Sequence, residues 1–335
     1  MHISPLRPDP FCTGLLSGLL LLIMTVPLAA SERPGRLVDV GGHRLHIHCS
    51  GSGSPSVIID AGMGGFSLEW QRVQNHLATQ VRVCSYDRAG YGWSDSGPLP
   101  RTSSRLASEL HTLLHRAEVE PPYLLVGHSF GGYNIRAFAH AHPNETAGLV
   151  LVDASHPAQF DRFPGRQSPG ALTTAGNRHT LISRPVMPAN YPAELQRQSR
   201  VLAATYKARR AQAEEFRGFM ASAAEVRNMV LPDVPILVLS RGQRVWPNNA
   251  YGDEMERVWT ELQAELGHLS SRTLQLIAAD SGHLVHFDQP RAVSYAVLLT
   301  ATAARARWRN WEAVTSNSDG VIAPILNQAT YLAQN

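Results

Sequence analysis

A serine flanked by glycines, Gly127-His128-Ser129-Phe130-Gly131, lies between a run that reads as a strand, Tyr123–Val126, and one that reads as a helix, Gly131–Ala141. A sharp strand-to-helix turn needs small residues on both sides of its centre, because the two elements approach closely there. Such a turn lifts the central hydroxyl clear of the sheet and sets it at a helix N-terminus, where backbone dipoles favour developing negative charge. The chemistry of a serine so placed is nucleophilic attack on a carbonyl through a covalent acyl intermediate. That attack needs a general base. Ser281-Gly282-His283 follows the apolar run Leu274–Ala278, so His283 is expected on a loop at the edge of the sheet where ligands bind. His286 competes for the role and is read as part of the next helical region, while His128 is read as packing or hydrogen bonding locally. An oxyanion hole needs two backbone N–H donors. Phe130, directly after the serine, is one. The loop Asp60-Ala61-Gly62-Met63-Gly64-Gly65 is expected to supply the other at Met63.

These groups need a scaffold that brings distant segments to one edge. Short runs rich in Leu, Val and Ile recur at Leu37–Val40, His43–His48, Ser56–Ile59, Val81–Tyr86, Tyr123–Val126, Ala147–Val152, Ile236–Leu239 and Leu274–Ala278. Between them lie segments with helical spacing, Leu68–Thr79, Arg101–Ala117 (Leu106, Leu110, Leu113, Leu114), Gly131–Ala141, one ending at Leu262–Leu269, and Ala292–Arg305. The alternation predicts an α/β protein with a mostly parallel sheet covered on both faces. The rhythm breaks between Ser155 and Val230, which reads as a helical insertion over the sheet. In His43–His48 the polar Arg44, His46 and His48 are expected on one face of an edge hairpin. No third residue at metal-ligand spacing stands near them, so neither a metal nor a cofactor is expected.

Phe11–Ala30 carries no charge and ends in small residues, which predicts an export signal cut near Ala30, or otherwise a membrane anchor over residues 11–30. The remainder is then expected outside the cytoplasm, where Cys49 and Cys84 could pair. With 30 basic against 27 acidic residues there is no strong basic field, which argues against nucleic acid as a partner. An apolar content of 44% excludes a disordered chain.

Three stretches carry a resemblance: the glycine-flanked serine with Gly132, the run Tyr86–Ser94 (YDRAGYGWS), and Gly148–Pro157 (GLVLVDASHP). From Arg36 to Arg309 the chain resembles the α/β-hydrolase superfamily, particularly its exported and uncharacterised bacterial members. The resemblance implies an α/β-hydrolase fold with an eight-stranded sheet and a helical cap after strand six. The core is expected over 31–154 and 231–312, the cap over 155–230 and a tail over 313–335. It also implies that the strands holding Cys49 and Cys84 are neighbours, so a bridge between them is expected. Two departures stand out. The first oxyanion loop usually reads His-Gly, where this chain has Asp60, Ala61 and Gly62. The acid that orients the base usually follows strand seven, yet no carboxylate follows Ser240 until Asp253. Asp153, at the end of strand six, is therefore expected to be the acid, as in some resembling hydrolases, with Asp253 as the alternative.

The expected activity is that of a serine hydrolase acting on a small ester, thioester or amide. Epoxide and haloalkane hydrolases of the same fold use a carboxylate where Ser129 stands, which argues against them. A cofactor-free haloperoxidase-like side activity and a non-catalytic binding protein are the remaining alternatives. Phe160, Phe163, Tyr191, Phe216 and Phe219 either receive an apolar substrate group or form the cap's own core.

Overall fold

The computed structural model describes residues 1–2, 33–165, 187–306 and 329–331. Apart from its first two residues, the expected export segment 1–30 lies outside them. Contacts divide the chain into Met1–Arg33 and Pro34–Asn335, and the fold belongs to the second unit. Among the described residues no helix is long and apolar enough to cross a membrane.

The strands are β1 (Arg36–Asp39), β2 (Arg44–Ser50), β3 (Ser56–Asp60), β4 (Val83–Asp87), β5 (Tyr123–His128), β6 (Thr146–Val152), β7 (Ile236–Arg241), β8 (Thr273–Ala278) and β9 (Ala329–Tyr331). They form one sheet in the order β1-β2-β4-β3-β5-β6-β7-β8-β9. From β4 to β8 all pairings are parallel, while β1, β2 and β9 run antiparallel to their neighbours. The eight expected strands are all present, and the mostly parallel α/β-hydrolase sheet is as anticipated. The ninth, from the polar C-terminal tail, extends it by one.

The central strands read as unbroken apolar runs because both faces are covered. Alternate residues go to opposite cores. Ile58, Leu125, Leu149 and Leu151 pack with α2 (Ser103–Arg116) and α3 (Gly131–Ala141). Val57, Ile59, Leu124, Val126, Val150 and Val152 pack with α1 (Gln71–Leu77) and the last helix, Pro290–Arg305, on the other side. The described part of the insertion carries α4 (Gln159–Arg162), α5 (Ala193–Ala203), α6 (Tyr206–Arg217) and α7 (Phe219–Arg227). After β7 come α8 (Ala250–Leu266), the short α9 (Val285–Asp288) and α10 (Pro290–Arg305).

Cys49 and Cys84 are register partners across β2 and β4 and form a disulfide. His46, expected on a polar outer face, is instead fully buried. Its Nδ1 lies 2.9 Å from Asp87 Oδ2, and the Trp93 ring covers it at 4.7 Å. The period-two pattern misleads here because the loop after β4 closes over that face of the edge strand. The aromatics of the insertion pack among themselves and against the core. Phe219 lies 5.4 Å from Phe130, 5.3 Å from Tyr133 and 5.0 Å from Phe160, while Phe163 packs on Trp246 at 5.8 Å.

Candidate active site

Ser129 sits at the turn from β5 into α3 with φ +51°, the left-handed region that L-residues rarely adopt. The glycines beside it are required by space: a Cβ on Gly127 would lie 2.6 Å from Gly131 O, and one on Gly131 would lie 2.4 Å from Asp60 O. The strained turn is tied down through its backbone. Ser129 N–H donates to Val152 O at 3.2 Å, and Ser129 O accepts from the N–H groups of Gly132 and Ser155, both at 3.0 Å.

The structure brings His283 and Asp153 together. His283 Nδ1 lies 2.6 Å from Asp153 Oδ2. Asp153 follows the end of β6 with φ +37° and is fully buried. Its remaining acceptor capacity is filled. Trp259 Nε1 of α8 donates to Oδ1 at 2.9 Å, Arg241 N–H to Oδ1 at 3.3 Å and Arg241 Nη1 to Oδ2 at 3.3 Å. Burial pushes this carboxyl up, but the Arg241 guanidinium and the His283 and Trp259 hydrogen bonds outweigh it and hold the carboxyl down at about 2. Arg241 is itself placed by Glu256 at 2.8 Å and by the Trp246 ring, 4.6 Å from its guanidinium carbon. The end of β7, after which the usual acid is missing, thus carries the cation that keeps Asp153 ionised. Asp253 is elsewhere: exposed in the first turn of α8, it pairs with Arg244 Nη1 at 2.7 Å.

The His283 loop is anchored on both sides. Asp288 Oδ2 accepts from Gly282 N–H at 3.0 Å, and His128 Nε2 lies 2.8 Å from His283 O. A carbonyl only accepts, so His128 carries its proton on Nε2. Burial, reinforced by the neighbouring His283, pushes His128 down to about 3, so it stays neutral. His128 thus ties the His283 loop to the Ser129 turn, a hydrogen bond to a residue 155 positions away where packing or local hydrogen bonding is expected. Among the described residues Ser129 Oγ makes no hydrogen bond to the His283 ring; such contacts often tighten only when substrate is bound. His286 is buried and stacked on Trp70 at 4.5 Å, with neither ring nitrogen hydrogen bonded. Burial drives its pKa well down, and among the described residues no carboxylate orients it.

The loop after β3 lies against the serine. A Cβ on Gly62 would meet His128 Nδ1 at 2.7 Å and Ser129 Cβ at 3.3 Å. Neither the Met63 nor the Phe130 amide donates to a protein acceptor among the described residues. Arg88, from the Tyr86–Ser94 run, grips this loop from beneath. Its Nη1 donates to Ala61 O at 2.5 Å and Asp60 Oδ1 at 2.7 Å, and its Nη2 to Gly62 O at 2.9 Å. Its Nε and Nη2 reach Glu215 of α6 at 2.8 and 3.0 Å. Asp60 also accepts from Tyr86 Oη at 2.6 Å and Asn134 Nδ2 at 3.2 Å. Asp60, in the stretch Asp60-Ala61-Gly62 that departs from the usual His-Gly, is therefore part of a buried network joining the loop after β3 to α6. Sequence reasoning missed Arg88 and Glu215.

The strand order, the helices on both faces and the serine turn define an α/β hydrolase. The chain belongs to the alpha/beta hydrolase family, whose model matches residues 45–296. It is 28% identical over 250 residues to the uncharacterized protein YqjL of Bacillus subtilis, covering 75% of this chain and 85% of that one. In other curated relatives the shared stretch is 20% to 42% of the relative's own length. A provisionally assigned epoxide hydrolase from Pseudomonas aeruginosa superposes with a TM-score of 0.62 at 19% identity, covering 81% of this chain and 96% of that one. A thermophilic esterase from Thermogutta terrifontis superposes with a TM-score of 0.57 at 20% identity, covering 82% and 99%. At these identities the likeness is one of fold.

Proposed function

We propose that this hydrolase is a serine hydrolase that cleaves a small carboxylic ester, or a related thioester or amide, through an acyl-enzyme. The observation that carries the reading is the 2.6 Å contact of His283 with the buried Asp153, at the same sheet edge as the strained turn of Ser129. In this reading Asp153 accepts from His283 Nδ1–H and so leaves the Nε2 lone pair free as the base. Ser129 Oγ attacks the carbonyl carbon and passes its proton to Nε2. The oxygen that becomes anionic is held by the amides of Met63 and Phe130. His283 then protonates the leaving group, which departs, and the same steps with water release the acid and regenerate the serine.

A serine at the nucleophile position, rather than a carboxylate, favours acyl transfer over epoxide opening. The Cys49–Cys84 disulfide and the uncharged segment 11–30 support export to an oxidising compartment. The test is hydrolysis of a p-nitrophenyl ester series of graded acyl length by wild type and Ser129→Ala. The variant is expected to fold normally and to lose about 10⁴–10⁶ in rate. Retention of a tenth of wild-type activity would contradict the proposal.

A further inference from the structure

At the other edge of the sheet, where β6 begins, a second cluster gathers that the proposed chemistry does not use. His111 and His115 stand one helical turn apart on α2, beside the inward Leu110 and Leu114. The short link from α3 to β6 brings His142 and Glu145 against them. Glu145 Oε1 lies 3.2 Å from His111 Nε2, and its Oε2 lies 3.3 Å from His115 Nε2. The ring of His142 stacks on that of His111 with centroids 3.6 Å apart. One ligand atom from each of His111, His142 and Glu145 falls within 4.8 Å of the others. Glu145 is a quarter exposed and His115 half exposed, so an ion can enter from solvent.

Imidazole nitrogen and carboxylate oxygen are the donors that zinc takes in four-coordinate sites. With metal–ligand bonds of about 2.0–2.1 Å, the edge of such a tetrahedron is roughly 3.3–3.4 Å. The His111–Glu145 contact is already close to that edge, and His115, which holds the other carboxylate oxygen, stands beside this trio as a fourth donor that must swing in. Pairing with the carboxylate alone accounts for His111 and His115, which take one oxygen each. Among the described residues it leaves His142 against their cluster without a partner oxygen. We propose that His111, His115, His142 and Glu145 form a binding site for a divalent transition ion of the zinc type. Two parallel stacked rings cannot both aim in-plane lone pairs at one point, so on binding His142 turns off the stack of His111 to present a ring nitrogen. The ion would clip α2 to the entrance of β6, at the edge opposite Ser129, as a stabilising element independent of catalysis.

The experiment uses the full chain without an affinity tag, stripped with chelator and titrated with Zn²⁺ by calorimetry, and repeated on Glu145→Gln and His115→Ala. One equivalent should bind to wild type, and each variant should weaken binding at least about tenfold. Zn²⁺ should raise the thermal midpoint of wild type more than that of either variant, since a ligand that binds only the folded state stabilises it. Glu145 is a quarter exposed and His115 half exposed, and an unchanged far-UV circular dichroism spectrum shows that the variants fold. Absence of saturable binding, binding unchanged in both variants, or displacement of Zn²⁺ by millimolar Mg²⁺ would overturn the proposal.

Discussion

Replacing Asp153 by asparagine changes one atom type and almost no volume, and asparagine tolerates the positive φ of this position. Its effect follows from the donors around the carboxylate. Oδ1 faces Trp259 Nε1 at 2.9 Å and the Arg241 N–H at 3.3 Å, both fixed donors. The amide therefore keeps its oxygen on that side and turns its NH₂ group toward His283. A donor there selects the His283 tautomer that accepts at Nδ1 and carries its proton on Nε2, which cannot take a proton from Ser129. Arg241 loses its partner at Oδ2 but keeps Glu256 at 2.8 Å, so the fold should hold. The loss of kcat should be about 10³–10⁴, or roughly 4–5.5 kcal/mol of transition-state stabilisation, with KM little changed because the substrate does not touch this group. Steady-state hydrolysis of a p-nitrophenyl ester measures it, with Asp253→Asn as the control expected near wild type. Asp153→Asn within tenfold of wild type, or an equal loss in Asp253→Asn, would refute the reasoning.

Three further outcomes are expected. Asp153 is held at about 2 against an ordinary value of 3.8, so it contributes stability that is complete above about pH 4 and lost as pH falls toward 2. The acid-side fall in unfolding free energy from urea denaturation between pH 5 and pH 2.5 should shrink by about 1.5 kcal/mol in Asp153→Asn, and an unchanged fall would count against an ionised Asp153. Gly62→Ala would press its methyl against His128 Nδ1 and displace the oxyanion loop, lowering kcat about 10²-fold; unaltered kinetics would separate this loop from the reaction. Glu215→Ala leaves the buried Arg88 guanidinium short of a partner and should lower unfolding free energy by about 3–5 kcal/mol, whereas no change in urea unfolding would mean that the network is dispensable.

What was legible in the sequence was local. Gly131–Ala141 can be read to the residue, because the glycines open it and its apolar spacing runs to the end. The apolar runs of β3 to β8 mark their strands within a few residues, since burial on both faces leaves no competing pattern. The serine and the histidine are identifiable because each stands at a strand end with its turn chemistry around it. Asp153 was reached through the resemblance and the missing acid after β7. That Arg241, at the end of β7, would reach across to hold Asp153 was not readable, because it depends on how neighbouring strand ends meet. Arg88 and Glu215 are 127 positions apart, and nothing in either local pattern announces the other. Sequence reasoning did not single out His111 and His115, and His142 and Glu145 join them only through the packing of α2 beside α3.

The central claim is that Ser129 is the nucleophile. The most direct measurement is treatment of the purified protein with a fluorophosphonate probe, followed by intact mass and peptide mapping. One probe per chain on the peptide containing Ser129, with no labelling of Ser129→Ala, is the predicted result. A folded, ester-hydrolysing protein that takes up no probe, or takes it up on another residue, would contradict the account.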